Sequence, residues 1–218
     1  QTISASQNVI FDFNGHSLIM TQPIEVNTNT KFVNSREVGA VNNLRDNALR
    51  IKSGVTAIID DGIYHSDTTT TVTNSGTLTI NGGEIQADKE YTITNTGTLT
   101  INGGIISGER QAYGISSSNT LTMNAGTVTS ENQTAMSGSG TLTINGGTIQ
   151  STKQYALSVS DSNLTINNVI TLRRNEYTEH DKKLYVRVTS GVVENKLLLD
   201  YVLAKLIKGQ RVKPFVKN

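Results

Sequence analysis

The chain has 218 residues, of which 35% are hydrophobic and 17% charged, with 19 glycines, 2 prolines and neither cysteine nor tryptophan. Without cysteine, a disulfide framework and a thiolate metal site are both excluded, and a net charge of +1 gives no sign of a nucleic-acid partner. So polar a composition means either disorder or a repeat protein whose short units each bury only a few side chains.

The patterned part opens at residues 9–19 (VIFDFNGHSLI). A phrase close to TLTINGG then recurs at residues 56–62 (TAIIDDG), 77–83, 98–104, 120–126 (TLTMNAG) and 141–147, and fades at 163–168 (NLTINN). Its leucines, Leu78, Leu99, Leu121, Leu142 and Leu164, recur at alternating intervals of twenty-one and twenty-two positions. Ala57 precedes them, and Phe32 and Phe11 are expected to continue the column below one longer coil, that from Phe32 to Ala57. A second apolar column reads Val26, Ile51, Val72, Ile93, Ile115, Met136 and Leu157. A third reads Leu18, Tyr64, Ile85, Ile106, Val128 and Ile149.

Within each strand the apolar residues alternate with polar ones, as Leu78 and Ile80 do with Thr77 and Thr79. Three columns per repeat, separated by short turns, predict an all-β fold: a single-stranded parallel β-helix of seven to eight coils. The residue before each TLT (Gly76, Gly97, Asn119, Gly140) is expected to adopt a left-handed backbone. Asn14, Asn81, Asn102, Asn124, Asn145 and Asn167, with Asp60 among them, fall at one turn position. Stacked about 4.8 Å apart, their amides are expected to form a structural hydrogen-bonded ladder.

The repeat resembles the right-handed parallel β-helix, or pectate-lyase-like, superfamily. It is most similar to the plain coils of bacteriophage tail appendages and Gram-positive surface proteins, whose usual first coil residues 9–19 resemble. The resemblance covers about residues 8–171. It implies the fold, an extracellular, cell-surface or virion setting and a structural or binding shaft, but no particular activity.

Candidate sites come from columns that multiply one residue type. Tyr91, Tyr113 and Tyr155 share one coil position, with Thr134 between the last two. Lys89, Gln111, Asn132 and Lys153 stand two residues before that position in successive coils. Aromatic platforms beside amide and ammonium groups suit a saccharide, so a cell-surface glycan or other host-surface ligand is the expected partner. The outward pairs Thr77/Thr79, Thr98/Thr100, Thr120/Thr122 and Thr141/Thr143 resemble the faces of β-helical antifreeze proteins, which gives an ice-binding alternative.

A polysaccharide lyase or hydrolase on the same fold is the enzymatic alternative. No catalytic residue, metal ligand or cofactor is assigned. Asp60–Asp61 reads as a turn variant, and His16, His65 and His180 show no metal spacing. The charges of the long coil (Arg36, Glu37, Arg45, Asp46, Arg50) read as a solvated or capping surface.

Residues 1–172 carry 8 basic against 13 acidic side chains, and residues 173–218 carry 11 against 5. The repeat fails at the same place, which divides a β-helix from a basic C-terminal module. Residues 196–208 (KLLLDYVLAKLIK) show polar residues four apart opposite an apolar face, and Gly209 stops the pattern. This predicts an amphipathic helix that caps the last coil or drives self-association, a homotrimer being the expected form. The apolar run at 197–207 is too short to span a membrane.

Overall fold

The structure is a computed structural model that describes residues 2–3, 8–36, 39–160, 162–167, 171–174, 186–188 and 191–194. The chain winds as a parallel β-solenoid of about seven turns, with no helix among the described residues. Every pairing between strands is parallel, and each strand pairs with the one a full coil earlier and a full coil later. This produces two nine-stranded sheets and one of eight strands. Parallel neighbours one coil apart are what a repeat of three short strands dictates, since like residues are then brought face to face.

The burial pattern of a typical strand alternates from half-exposed to buried, as in Thr98–Ile101, Thr120–Met123 and Thr148–Ser151. Leu78, Leu99, Leu121 and Leu142 stack in one fully buried file, and Ile80, Ile101, Met123 and Ile144 in the next. The third file runs Leu18, Val41, Tyr64, Ile85, Ile106, Val128 and Ile149. Phe13, Phe32 and Tyr64 pack edge-on and face-on near the N-terminal end, where Phe11 joins them as a half-exposed lid.

Two columns differ from the sequence expectation by two positions. Phe11 and Phe32 lie in the file of Ile59 and Ile80, and buried Thr30 takes the place beside Ala57. Val72 stacks on Leu49, itself above Ile24, so Val26 and Ile51 belong to the file that continues through Asn74 and Asn95. The long coil is also longer than expected, since the partner of Phe32 is Ile59 and not Ala57. Relative to the first coil it carries two extra residues at each of its three corners. An insertion of two preserves the inward–outward alternation, so the apolar pattern alone cannot place it.

Arg50 and Lys52 of this coil pair within it and with Glu25 of the preceding one. Arg50 reaches Glu25 at 2.6 Å and Asp46 at 3.0 Å, and Lys52 reaches Glu25 at 2.8 Å. Burial works to raise the Glu25 carboxyl, but the two cations outweigh it and hold the group below its ordinary value.

The glycines before TLT are not left-handed. Positive φ falls instead on the second glycine of the NGG phrase, as at Gly83 (79°) and Gly104 (82°). Gly97 is needed for space: a Cβ there would stand 2.0 Å from the carbonyl oxygen of Gly76.

Coil stacking runs past Leu172. Thr171–Arg174, Val186–Val188 and Gly191–Glu194 add the last strand to each sheet. The helix expected over residues 196–208 lies outside the described residues. No helix among the described residues is long and apolar enough to cross a membrane.

Candidate functional site

The corner that leads into the Tyr91 and Tyr113 strands concentrates polar and charged side chains. Its turns are tied down from below by buried serines. Ser130 Oγ donates to the Ala112 carbonyl at 2.8 Å and accepts from Gln133 N–H at 3.0 Å. Ser151 repeats this one coil later with the Gln133 carbonyl at 2.7 Å and Gln154 N–H at 2.9 Å. Glu90 and Arg110, in the two turns before the tyrosines, hold φ of 56° and 47°. A left-handed backbone costs a non-glycine residue roughly 1–2 kcal/mol, so the packing around this corner imposes its shape.

Tyr91 and Tyr113 sit side by side in paired strands, half-exposed, with ring centroids 4.9 Å apart and planes 27° from parallel. The rings therefore cover each other's inner faces. Stacked this closely, they leave no slot for a sugar between them. Thr134 comes next in the column, its carbonyl accepting from Gly114 N–H at 3.2 Å. Tyr155 follows, its carbonyl accepting from Ala135 N–H at 3.0 Å. Lys89, Gln111 and Lys153 are exposed. Asn132 is half-buried, its amide donating to the Arg110 carbonyl, which leaves it less free than the other three.

On the opposite side of the corner an open groove of about 290 Å³ is lined by Ser107, Glu109, Thr129, Glu131 and Gln150. Nearer the N-terminal end, His65 Nδ1 lies 3.2 Å from Asp67 Oδ1 and its Nε2 3.4 Å from Asp88 Oδ1. Arg110 reaches the other Asp88 oxygen at 2.8 Å. Sequence reasoning missed this group because it judged linear spacing. Asp67 and Asp88 stand one coil period apart, so stacking makes them neighbours.

Two ladders of polar side chains link successive coils, a long outer one from Asp60 to Asn167 and a short inner one from Asn74 to Ser117. The outer one begins at Asp60 Oδ1, which accepts from Asn81 Nδ2 at 2.8 Å. Asn102, Asn124, Asn145 and Asn167 then each donate to the preceding rung at 2.6–2.9 Å. Asn14 is not a rung. The strand pairing sets Asp12 beside Val33, and Asn14 lies two residues beyond, with φ of 50° and its N–H bonded to Asp12 at 2.9 Å. Asp61 Oδ1 accepts from Gly62 N–H at 2.8 Å, whereas Asp60 is bonded to Lys31 and Asn81.

The second ladder is internal and unforeseen. Asn74 Nδ2 donates to Asn95 Oδ1 at 2.7 Å, and Asn95 Nδ2 to Ser117 Oγ at 2.9 Å, all three side chains being fully buried.

The foot of the outer ladder is electrostatic, since Lys31 Nζ stands 2.6 Å from Asp60 Oδ2. Burial works to raise the Asp60 carboxyl, but hydrogen bonds from Lys31 and Asn81 overcome it and keep the group below its ordinary value of 3.8. A carboxyl lowered on folding contributes stability above its unfolded pKa that is lost as pH falls through its folded one. Acid melts should therefore show Asp60→Asn losing less stability than the wild type on passing below about pH 4. Parallel acid limbs for the two proteins would remove the Lys31–Asp60 pair from the acid response.

The outward threonines are in register across coils: Thr79, Thr100, Thr122 and Thr143 form one row, and Thr77, Thr98 and Thr120 another. With the fold and these surfaces in hand, comparison with known proteins adds no relative: no protein-family model, curated protein or solved structure matches this chain.

Proposed function

We propose that this chain is a non-enzymatic binding shaft that displays a carbohydrate-binding face along the Tyr91–Tyr113 corner, its target a glycan on a cell surface. The half-exposed, stacked tyrosine pair carries the reading. Sugar rings pack their C–H faces on aromatic surfaces and take hydrogen bonds from flanking polar groups. Lys89, Gln111 and Lys153 stand free along the same line to supply them. Because the two rings cover each other, the saccharide lies along their joint edge and outer faces, running toward Tyr155. Binding is weak at each site and gains from repetition, which suits a rigid rod held at a surface. The resemblance of the coils to those of bacteriophage tail appendages and Gram-positive surface proteins supports an extracellular or virion setting, with a homotrimer as the expected assembly.

A glycan array tests this. Tyr91→Ala, Tyr113→Ala should lose at least about fivefold in apparent affinity, as removal of two aromatic contacts worth roughly 0.5–1.5 kcal/mol each predicts. Undiminished binding by the double variant would make the tyrosine corner structural.

A polysaccharide lyase or hydrolase is the second reading, on the strength of Glu109 and Glu131 in the groove. The groove is open, so water reaches both carboxylates and nothing encloses a reacting bond. Binding without cleavage is the better account. The register of the threonine rows supports ice binding as a third reading, on a different face.

A further inference from the structure

We propose that His65, Asp67 and Asp88 form a binding site for a divalent transition-metal ion of the zinc class. One donor atom from each of the three lies within 4.8 Å of the others. Two carboxylates alone are a common surface feature and select no metal. An imidazole nitrogen added to them is a donor set that zinc takes and that calcium, which prefers oxygen ligands throughout, does not.

The spacing fits. Ligands held about 2.1 Å from a tetrahedral ion are separated from one another by roughly 3.4 Å. His65 Nε2 and Asp88 Oδ1 are 3.4 Å apart. Asp67 Oδ1 now faces the other ring nitrogen at 3.2 Å, and its side chain is 41% exposed, so the carboxylate can turn toward the ion. A water would fill the fourth position.

The fold gives the cluster its rigidity. His65 lies on the strand Ile63–Ser66, and Asp67 follows it immediately. The Asp88 N–H is bonded to the Ser66 carbonyl at 3.1 Å, which seats Asp88 directly over Asp67 in the next coil. Asp88 is 7% exposed, so its charge needs a partner. Arg110 supplies one at 2.8 Å, but its side chain is 76% exposed and can withdraw into solvent when an ion arrives. A bound ion would join two successive coils at the corner that precedes the tyrosine pair.

Isothermal titration of zinc chloride into the full chain tests the site. At about pH 7.5 one ion should bind per chain, and at about pH 5.5 the affinity should fall at least tenfold as protons compete for the ligands. His65→Gln should weaken binding at least tenfold while leaving the circular dichroism spectrum unchanged, since the residue is only half-buried. Asp67→Asn, at a side chain 41% exposed, should likewise weaken zinc binding at least about tenfold without unfolding the chain. Calcium chloride should give no comparable heat. No zinc binding by the wild type, zinc binding unchanged in His65→Gln, or calcium binding as tight as zinc and indifferent to His65 would each overturn the proposal.

Discussion

Leu99→Asp is expected to lower the melting temperature by at least about 10 °C, whereas Thr100→Asp, one residue away, should cost about 3 °C or less. Leu99 is fully buried between Leu78 and Leu121. Removing a leucine from such a position costs about 2–5 kcal/mol, because adjacent coils are held in register by their ladder hydrogen bonds and cannot close the void. The new carboxylate adds the penalty of an unpaired charge in an apolar file, so it will bind a proton or force the coil open. Thr100 faces outward in the row of Thr79 and Thr122, and an aspartate there stays in water. Differential scanning calorimetry of the two variants decides the matter. Equal losses would mean that the inward and outward faces have been exchanged.

The second large effect is expected at Asn95. Its side chain accepts from Asn74 at 2.7 Å and donates to Ser117 Oγ at 2.9 Å, the Gly97 carbonyl at 3.1 Å and the Thr120 carbonyl at 3.0 Å. Asn95→Ala removes all four bonds at a fully buried position. Asn74 Nδ2 and Ser117 Oγ keep bonds to the Thr98 and Asn119 carbonyls. Two carbonyls, those of Gly97 and Thr120, lose their amide donor, and at about 1–3 kcal/mol for each the total should reach about 2–6 kcal/mol.

Asn95→Val refines the test. The same file holds Val26, Ile51 and Val159, so an apolar residue fits it sterically. The valine variant should nevertheless lose nearly as much as the alanine one, because the turn carbonyls stay orphaned. Asn102→Ala, in the exposed outer ladder, should cost about 1 kcal/mol or less, since water replaces the lost amide. Urea melts of the three variants separate these outcomes. A neutral Asn95→Val would show that the turn carbonyls find other donors.

The repeat was legible because every coil reuses the same residue types at the same places. Leu78 to Leu142 could be aligned by eye, and the alternation within each TLTI segment set the buried face. Legibility ended where two-residue insertions preserved that alternation. Phe32 and Ile51 each remained inward in the wrong file, and only the strand pairing separated the alternatives.

The outer asparagines announced themselves through their neighbouring glycines. Asn74 and Asn95 did not, although a polar residue recurring at an inward-facing position was the available signal. Tyr91 and Tyr113 were placed together by the coil period. Their mutual stacking depended on side-chain angles that no spacing contains. His65, Asp67 and Asp88 become a cluster only once a separation of one full coil is understood as adjacency.

The outer ladder has a direction. Each amide donates toward the preceding coil and accepts from the following one, so its rungs are not interchangeable. A carboxylate has no proton to donate. At position 102 or 124 an aspartate would accept from the coil above and set its oxygens against the carbonyl oxygen of the rung below. The foot of the row is the one place where it satisfies every neighbour, and there Asp60 meets Lys31. The row thus behaves as a one-way series with a fixed terminator. Coils duplicated above Asp60 would lengthen the rod by about 4.8 Å per copy with every bond conserved. Extension below it would require the carboxylate to move to the new foot.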